Sequence, residues 1–382
     1  MFDIYTQLQR WTGDTAKNPI YLATITAIEG SAVRGAGATM GIAADNALTG
    51  SVSGGCIEST VIETVNRLRA QNKAQQITFC PNDDPFGGPS PCGGTIQVCI
   101  YPYSAAVGAA VATRLTQGQD ILWGVCTAGP EDWLGTSFAL DSQDELHVGM
   151  RDSQSDSEAT KGVLSKLLPH TFPREYPQEY GVIEITAEEK QPEVRFFIQH
   201  QPPVPHAVVV GGSHIGEALV QQLKGLGWRV SVVDPRETFA APERFSAADV
   251  LLHKWPQEAL EELGTTDRPI NTSSAHTDTP ARHTAVAAIT HSEQIDDAAV
   301  GEAIERGCFY VGVLGSRKTF QSRLQRLMAT GYTEEQLSRV HGPIGLDIGA
   351  GNPEEIALAI AAEMVQNYRK GREGHGHVKS RA

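Results

Sequence analysis

Two cysteines stand beside paired glycines: Gly54-Gly55-Cys56 and its mirror, Cys92-Gly93-Gly94. The stretch Gly50-Ser51-Val52-Ser53-Gly54-Gly55-Cys56-Ile57-Glu58 runs into a pattern with Ile57, Val61, Val65 and Leu68 on one face. That pattern predicts a helix from about Cys56 to Arg69. A cysteine at a helix N-terminus meets the positive end of the dipole, which stabilises its thiolate. Such a thiolate can attack an electrophile, ligate a soft metal or carry a persulfide. The competing reading is a small residue at a crowded turn. Cys92 falls in a loop rich in Gly, Pro, Asn and Asp, Pro81–Gly94, at the entry to a strand over Thr95–Tyr101. Two cysteines each beside a Gly-Gly pair suggest one pocket walled by backbone. They are not zinc-like, since they form no C-x-x-C pair and no partner ligands stand at a recognisable spacing. Cys80, Cys99, Cys126 and Cys308 lie in or beside apolar strands and read as core.

Anion chemistry has several candidate positions. Glu29-Gly30-Ser31-Ala32-Val33-Arg34-Gly35 places glycines, a hydroxyl and one arginine after a buried strand, a reasonable oxyanion or phosphate pocket or else a plain hairpin loop. Gly211-Gly212-Ser213-His214-Ile215-Gly216 follows a strand and opens a helix, and Asp234 ends the next strand. That context makes a weak glycine pattern a dinucleotide-fold signal: helix N–H groups can face a phosphate and Asp234 can accept from a ribose hydroxyl. Ser213 stands where the fingerprint has its second glycine, which opposes close approach of a pyrophosphate. Gly312-Val313-Leu314-Gly315-Ser316-Arg317-Lys318 lies at the carboxyl end of another strand, where Gly315, Ser316 and Arg317 could hold an anion or Ser316 could simply cap a helix. Thr290-His291 ends a further strand at the same edge. Asp347 is the ionisable group of the glycine-dense run Pro343–Pro353. His276, His283 and His291 lack the spacing of helical metal ligands.

The elements that must position these residues fall into two patterns. Up to about residue 198 the reading is a mixed α/β domain. Its core, about 1–102, has a short helix over 2–11, a strand over Ile20–Ile28, and two short strands near Gly37–Ala43 and Ala47–Val52. An extension over 104–198 shows weaker strands at Ile121–Cys126, Glu145–Met150, Tyr180–Thr186 and Val194–Ile198, with a polar loop at Arg151–Lys161. Residues 199–205, with Pro202, Pro203 and Pro205, read as a semi-rigid linker. From 206 to 370 strands and helices alternate, which implies a Rossmann-like parallel sheet with helices on both faces. Residues 264–282 read as an irregular insertion. Asn352, Pro353, Glu354 and Glu355 mark the start of the last helix, and 371–382 is a polar, basic tail.

The chain has 382 residues and a net charge of −14, from 31 basic and 45 acidic side chains. That balance argues against general nucleic-acid binding, which needs basic surface. No apolar run reaches the roughly 18 residues of a membrane span, and the first residues lack the pattern of a secretory signal. Six cysteines in so long a chain are not a disulfide scaffold. A cytosolic protein with reduced thiols is the expectation, and a homodimer would be unsurprising.

The ordered set of motifs resembles one family. Gly30-Ser31…Arg34, Gly50–Glu58, Cys92-Gly-Gly94, Gly211–Gly216 with Asp234-Pro-Arg236, Arg282-His-Thr-Ala-Val…Ile289-Thr-His291, Tyr310–Arg317 and Pro343–Gly349…Pro353-Glu-Glu-Ile356 follow the order seen in the xanthine dehydrogenase accessory protein family (XdhC/CoxI). The resemblance covers about residues 1–102 and 206–369. It implies a maturation factor that binds the molybdenum cofactor (molybdopterin, in its mono- or dinucleotide form) and works with a cysteine desulfurase that supplies the sulfido ligand. It further implies delivery of the cofactor to an apo molybdenum hydroxylase of the xanthine dehydrogenase type. The family's Gly-Gly-Cys motif maps onto Gly54, Gly55 and Cys56, followed by Glu58. Its Cys-Gly-Gly motif maps onto Cys92, Gly93 and Gly94. Cys56 and Cys92 are then candidate molybdenum contacts. The remaining candidate cofactor contacts are Ser31, Arg34, Gly211, Gly212, Ser213, His214, Gly216, Asp234, Arg236, His291, Gly315, Ser316, Arg317 and Asp347.

Three hypotheses follow. A cofactor-binding chaperone would show no turnover alone. An NAD(P)-linked oxidoreductase would use Gly211–Gly216 for its nucleotide and Cys56 or His291 in catalysis; Ser213 counts against it. A thiol or sulfur-transfer enzyme would carry a persulfide on Cys56 or Cys92 without any pterin.

Overall fold

The structure is a computed structural model that describes residues 4–12, 19–80, 94–116, 119, 121–141, 145–149, 180–185, 194–201, 203–264 and 283–373. Cys92, Gly93 and Arg282, the loop at Arg151–Lys161, nearly all of the 264–282 insertion and most of the tail lie outside the described residues. The chain divides into two compact units, with the break between Pro203 and Val204.

The first unit is built on antiparallel sheets. Strand β1 (Tyr21–Glu29) is central, flanked by β2 (Thr39–Ile42) and β5 (Thr95–Pro102), with β3 (Leu48–Gly50) and β4 (Gln75–Phe79) at the edges. Tyr21, Leu22, Ala23 and Ile25 are all buried, so both faces of β1 are covered. Helix α2 (Glu58–Arg69) lays Val61, Val65 and Leu68 on one face. The other face shares a core with helix α1 (Tyr5–Thr12), helix α3 (Ala105–Thr116) and a second sheet. That sheet has the order β8-β7-β6-β10-β9, from β6 (Ile121–Ala128), β7 (Ser137–Asp141), β8 (Leu146–Gly149), β9 (Tyr180–Ile185) and β10 (Val194–Gln201). Each of the large side chains in this core is worth roughly 1.5–3 kcal/mol of burial.

Several elements escape a reading by periodicity. Helix α3 is rich in alanine and has little polar face to contrast with Val107, Val111 and Leu115. Strand β7 is short and buried on both sides at Phe138 and Ala139. Strand β10 runs on to Gln201, paired with Ile121, so residues 199–201 are sheet rather than spacer. Cys80 is exposed just beyond β4, a correction to its reading as core, because Phe79 is the last inward residue of that strand. Cys99, Cys126 and Cys308 are buried as expected.

The second unit is a parallel sheet in the order β13-β12-β11-β14-β15-β16. Its strands are β11 (His206–Val210), β12 (Arg229–Val233), β13 (Val250–Leu252), β14 (Thr284–Ala288), β15 (Tyr310–Val313) and β16 (Val340–His341). This is the doubly wound order, which reverses direction between β11 and β14. Helices α4 (His214–Gly225) and α9 (Pro353–Glu373) pack on one face with Leu219, Leu223, Ile360 and Met364. Helices α5 (Pro256–Glu262), α6 (Glu293–Glu305), α7 (Arg317–Ala329) and α8 (Glu334–Leu337) belong with the core on the other. The short β13, α5, α8 and β16 are absent from the sequence reading because each is too brief to show a period.

His206 opens β11, buried, with Nε2 2.8 Å from the Ser231 hydroxyl on β12. Burial, reinforced by the positive charge of Arg229, pushes its pKa down to about 3. The unfolded chain takes up this proton near pH 6.5 and the folded one does not. Stability is therefore intact above pH 6.5 and falls as pH drops toward about 3, by up to about 1.4 kcal/mol per pH unit. Urea midpoints across that range are expected to fall in the wild type and to flatten in His206→Gln, which keeps a neutral polar atom near Ser231.

Candidate functional site

In the first unit three chain segments converge at one end of β1. Glu29 pairs with Thr95, so the loop leaving β1 lies beside the start of β5. A Cβ on Gly94 would strike the Ser31 carbonyl oxygen, and would stand 2.7 Å from that of Glu29 and 2.8 Å from the Ser31 nitrogen. Gly94 thus lets the chain entering β5 run against the Glu29–Ser31 backbone. A Cβ on Gly54 would lie 3.6 Å from Cγ1 of the exposed Val33. The β3–α2 loop therefore meets the same Ser31–Arg34 loop. Ser31, Gly54 and Gly55 are exposed, and Arg34 and Cys56 are half-buried. Cys56 is a reduced thiol that packs partly against the β1 core.

The β3–α2 loop is organised around Glu58. One carboxylate oxygen accepts from the Ser51 hydroxyl (2.8 Å) and the N–H groups of Val52 (3.3 Å), Ser53 (2.9 Å) and Gly54 (3.1 Å). The other accepts from the Ser53 hydroxyl (2.5 Å) and the N–H groups of Gly55 (3.0 Å) and Ile57 (3.2 Å). Burial works to raise the Glu58 pKa, but hydrogen bonds from Ser53 and Ser51 outweigh it and bring it to about 2. Helix α2 begins at Glu58, so Cys56 precedes the first turn. The loop amides on either side of it, at Gly55 and Ile57, serve the ionised Glu58 carboxylate.

In the second unit the candidates gather at the carboxyl ends of the strands, flanking the reversal point. A Cβ on Gly211 (φ 132°) would stand 2.9 Å from the Ile289 carbonyl carbon and 3.0 Å from the Thr290 nitrogen, so only glycine lets the end of β14 come this close. Gly216 meets the Gly211 carbonyl in the same way. Ser213 is the N-cap of α4, its hydroxyl accepting from Gly216 N–H at 3.2 Å. A capping requirement thus explains the departure from glycine.

Asp234 is fully buried. Its oxygens accept from Gly212 N–H (2.9 Å), Arg236 N–H (3.0 Å), Arg236 Nε (2.9 Å) and Arg236 Nη2 (2.8 Å). Burial opposes ionisation, but the Arg236 and Gly212 bonds hold its pKa below the usual carboxylate value. The acceptor expected to meet a ribose is therefore spent on Arg236 and the glycine loop. Arg236 lies 4.2 Å over the ring of Phe239, which is 46% exposed. Arg244 donates to the carbonyls of Gly212 and Phe239, both at 3.0 Å, and so fastens the 236–244 loop onto the glycine turn.

Residues 207–364 match the XdhC Rossmann domain, and residues 15–79 match the XdhC and CoxI family. The chain belongs to the XdhC and CoxI family. A probable xanthine dehydrogenase subunit of Bacillus subtilis (strain 168) is 25% identical over 352 residues, covering 91% of this chain and 93% of that one. The molybdenum cofactor insertion chaperone PaoD of Escherichia coli (strain K12) is 23% identical over 345 residues, covering 90% and 81%. In fold, the chain is similar to the crystal structure of a xanthine dehydrogenase from Bacillus halodurans, with a TM-score of 0.69, 21% identity and 96% coverage of each chain.

The other candidates of this XdhC/CoxI chain sit as follows. His291 is exposed with φ 62°, an uncommon backbone for a side-chain-bearing residue. Gly315 (φ 147°) precedes Ser316, whose hydroxyl caps α7 by accepting from Thr319 N–H at 3.2 Å. Ser316, Arg317 and Asp347 are exposed, Asp347 on the loop between β16 and α9. The start of that loop is fixed from α9, where Glu363 accepts from Tyr310 Oη at 2.6 Å and Gly345 N–H at 2.7 Å.

Sequence reasoning missed the residues that hold this edge in place. Thr290 donates its hydroxyl to the buried Asp296 at 2.6 Å, and its N–H at 3.0 Å. Arg323, 2% exposed, reaches Asp296 at 3.3 Å and Asp297 at 2.5 Å. An aspartate pair on one helix facing an arginine on the next is invisible until the helices are packed. Among the described residues no helix is long and apolar enough to cross a membrane.

Proposed function

We propose that this chain is an accessory factor that matures a xanthine dehydrogenase-type molybdenum hydroxylase, holding the molybdenum cofactor at the three-loop site of its first unit. Family membership supports the maturation role, and the relative named as a molybdenum cofactor insertion chaperone supports the cargo. The observation that carries the site is the meeting of Gly94, Gly54 and the Ser31–Arg34 loop. The donor set fits the group. Molybdenum takes soft thiolate ligands, which Cys56 would supply, with Cys92 two residues before Gly94. Arg34 and Ser31 would bind the cofactor's phosphate. Glycine backbone at positions 54 and 55 leaves room for a flat pterin.

Sulfuration by a cysteine desulfurase and transfer to an apo-hydroxylase belong to the same proposal. So does binding of a nucleotide at the strand ends of the second unit, near the N-terminus of α4 and Ser316. The inward-turned Asp234 and the capping Ser213 weigh against ordinary NAD(P) redox chemistry there.

The test is anaerobic purification from cells that make molybdopterin, with bound pterin read by fluorescence and molybdenum by elemental analysis. Near-stoichiometric pterin is expected. Absence of pterin together with tight NAD(P) binding would overturn the proposal in favour of an oxidoreductase.

A further inference from the structure

The loop that carries the Gly-Gly-Cys motif has two consecutive exposed glycines of positive φ, 81° at Gly54 and 125° at Gly55. Nothing lies within 4 Å of a Cβ built on Gly55. Such backbone has many accessible conformations, and the glycines themselves carry no side chain whose packing would select one. At these glycines selection falls to hydrogen bonds, and most of those in the loop end on one side chain. Five N–H groups and two hydroxyls converge on the Glu58 carboxylate.

The connection to Cys56 is short. Cys56 N–H donates to the Ser53 hydroxyl at 2.9 Å, and that hydroxyl donates to Glu58. Ile57 N–H, on the far side of Cys56, donates to both Ser53 Oγ and Glu58. The peptide groups on both sides of the thiol are thus tied to one anion. Because the loop's donors are already engaged, the loop presents a cofactor with a thiol rather than an anion cradle.

We propose that Glu58 is a positioning residue: its carboxylate, through Ser53 and the amides of residues 52–57, fixes where the Cys56 thiol stands in the three-loop site. The proposal deepens the reading of Cys56 as a cofactor contact and rests on it for its functional meaning. Glu58 touches no cofactor in this scheme, unlike the direct contact that the family resemblance implies.

The test reads the full-length protein without cofactor. Alkylation by iodoacetamide at a single pH is followed by mass spectrometry at Cys56 and at the exposed Cys80, which serves as the internal reference. Glu58→Gln puts an NH2 group against N–H donors. It is expected to speed alkylation of Cys56 by about tenfold or more while Cys80 stays within about twofold, the scale set by losing hydrogen bonds to a charged acceptor. Glu58→Asp keeps the carboxylate and is expected to restore most of the wild-type rate. A purely structural role would lower melting temperature without separating the two cysteines. A Cys56 rate in Glu58→Gln within about twofold of wild type overturns the proposal.

If Glu58→Gln does not fold, hydrogen exchange in the wild type decides. Amides of residues 52–57 protected by about 100-fold or more support the proposal, and free-peptide rates overturn it. Neither readout involves pterin. A wild type without pterin would sink the functional reading alone, and an unprotected loop would sink this one alone.

Discussion

Cys56→Ala is expected to reduce pterin retained through purification from near-stoichiometric to under about a tenth. Residues that only orient a metal's ligands typically cost about 10–100-fold in affinity when changed, so loss of a direct thiolate should cost at least that. The fold should survive. The Cys56 side chain only borders the β1 core, its backbone N–H bonds to Ser53 regardless of side chain, and alanine leaves a small gap. An unchanged melting temperature with lost pterin is therefore the expected pair of results. Pterin retained at the wild-type level in Cys56→Ala would remove Cys56 from the site and return the sulfur-transfer hypothesis to consideration. Cys92→Ala, measured beside it, shows whether both mirror motifs contribute.

The second large effect is on stability. Arg323→Leu would leave the wholly buried Asp296 without its cation, while Asp297 keeps Arg326 at 2.8 Å. Removing one partner of a buried pair costs about 3–5 kcal/mol. For a unit of this size that corresponds to a fall of roughly 10 °C in melting temperature. Burial already raises the Asp296 pKa, and the Thr290 bonds and Arg323 only partly offset it. Without Arg323 the carboxyl should bind a proton more readily, so Arg323→Leu is expected to regain part of its deficit as pH is lowered. A melting temperature within about 2 °C of wild type would show that the pair contributes little. The effect bears on the site because Asp296 anchors Thr290, the residue before His291, at the reversal point of the sheet.

Much of the second unit is legible in the sequence. His206–Val210 and Thr284–Ala288 are strands buried on both faces, which the sequence displays as continuous apolar runs. Ser213, Ser316 and Asn352 mark helix starts by their side-chain chemistry, and each bonds to the backbone of the helix it opens. Alternation of strand and helix then leaves few topologies, since parallel crossovers share one hand. The first unit is harder to read because α3 carries alanines on its exposed face as well as its buried one, and the buried β7 is too short to show a period.

Residue order and side-chain chemistry were enough to establish the two-part α/β architecture, the glycine turns, the place of Cys56 beside Gly54 and Gly55, and the family. They did not establish what the charged candidates do. Glu58, Asp234 and Arg236 look from the sequence like ligand contacts. In the fold, Glu58 gathers its own loop, and Asp234 clamps Arg236 and the glycine turn. Folding also brings Gly94 onto the Ser31 backbone and sets Arg323 between two aspartates, neither of which any local pattern foretells. The physical reason is that periodicity and capping are local, set by neighbours along the chain. The partner of a carboxylate is chosen by whichever donors the folded backbone brings within about 3 Å of it.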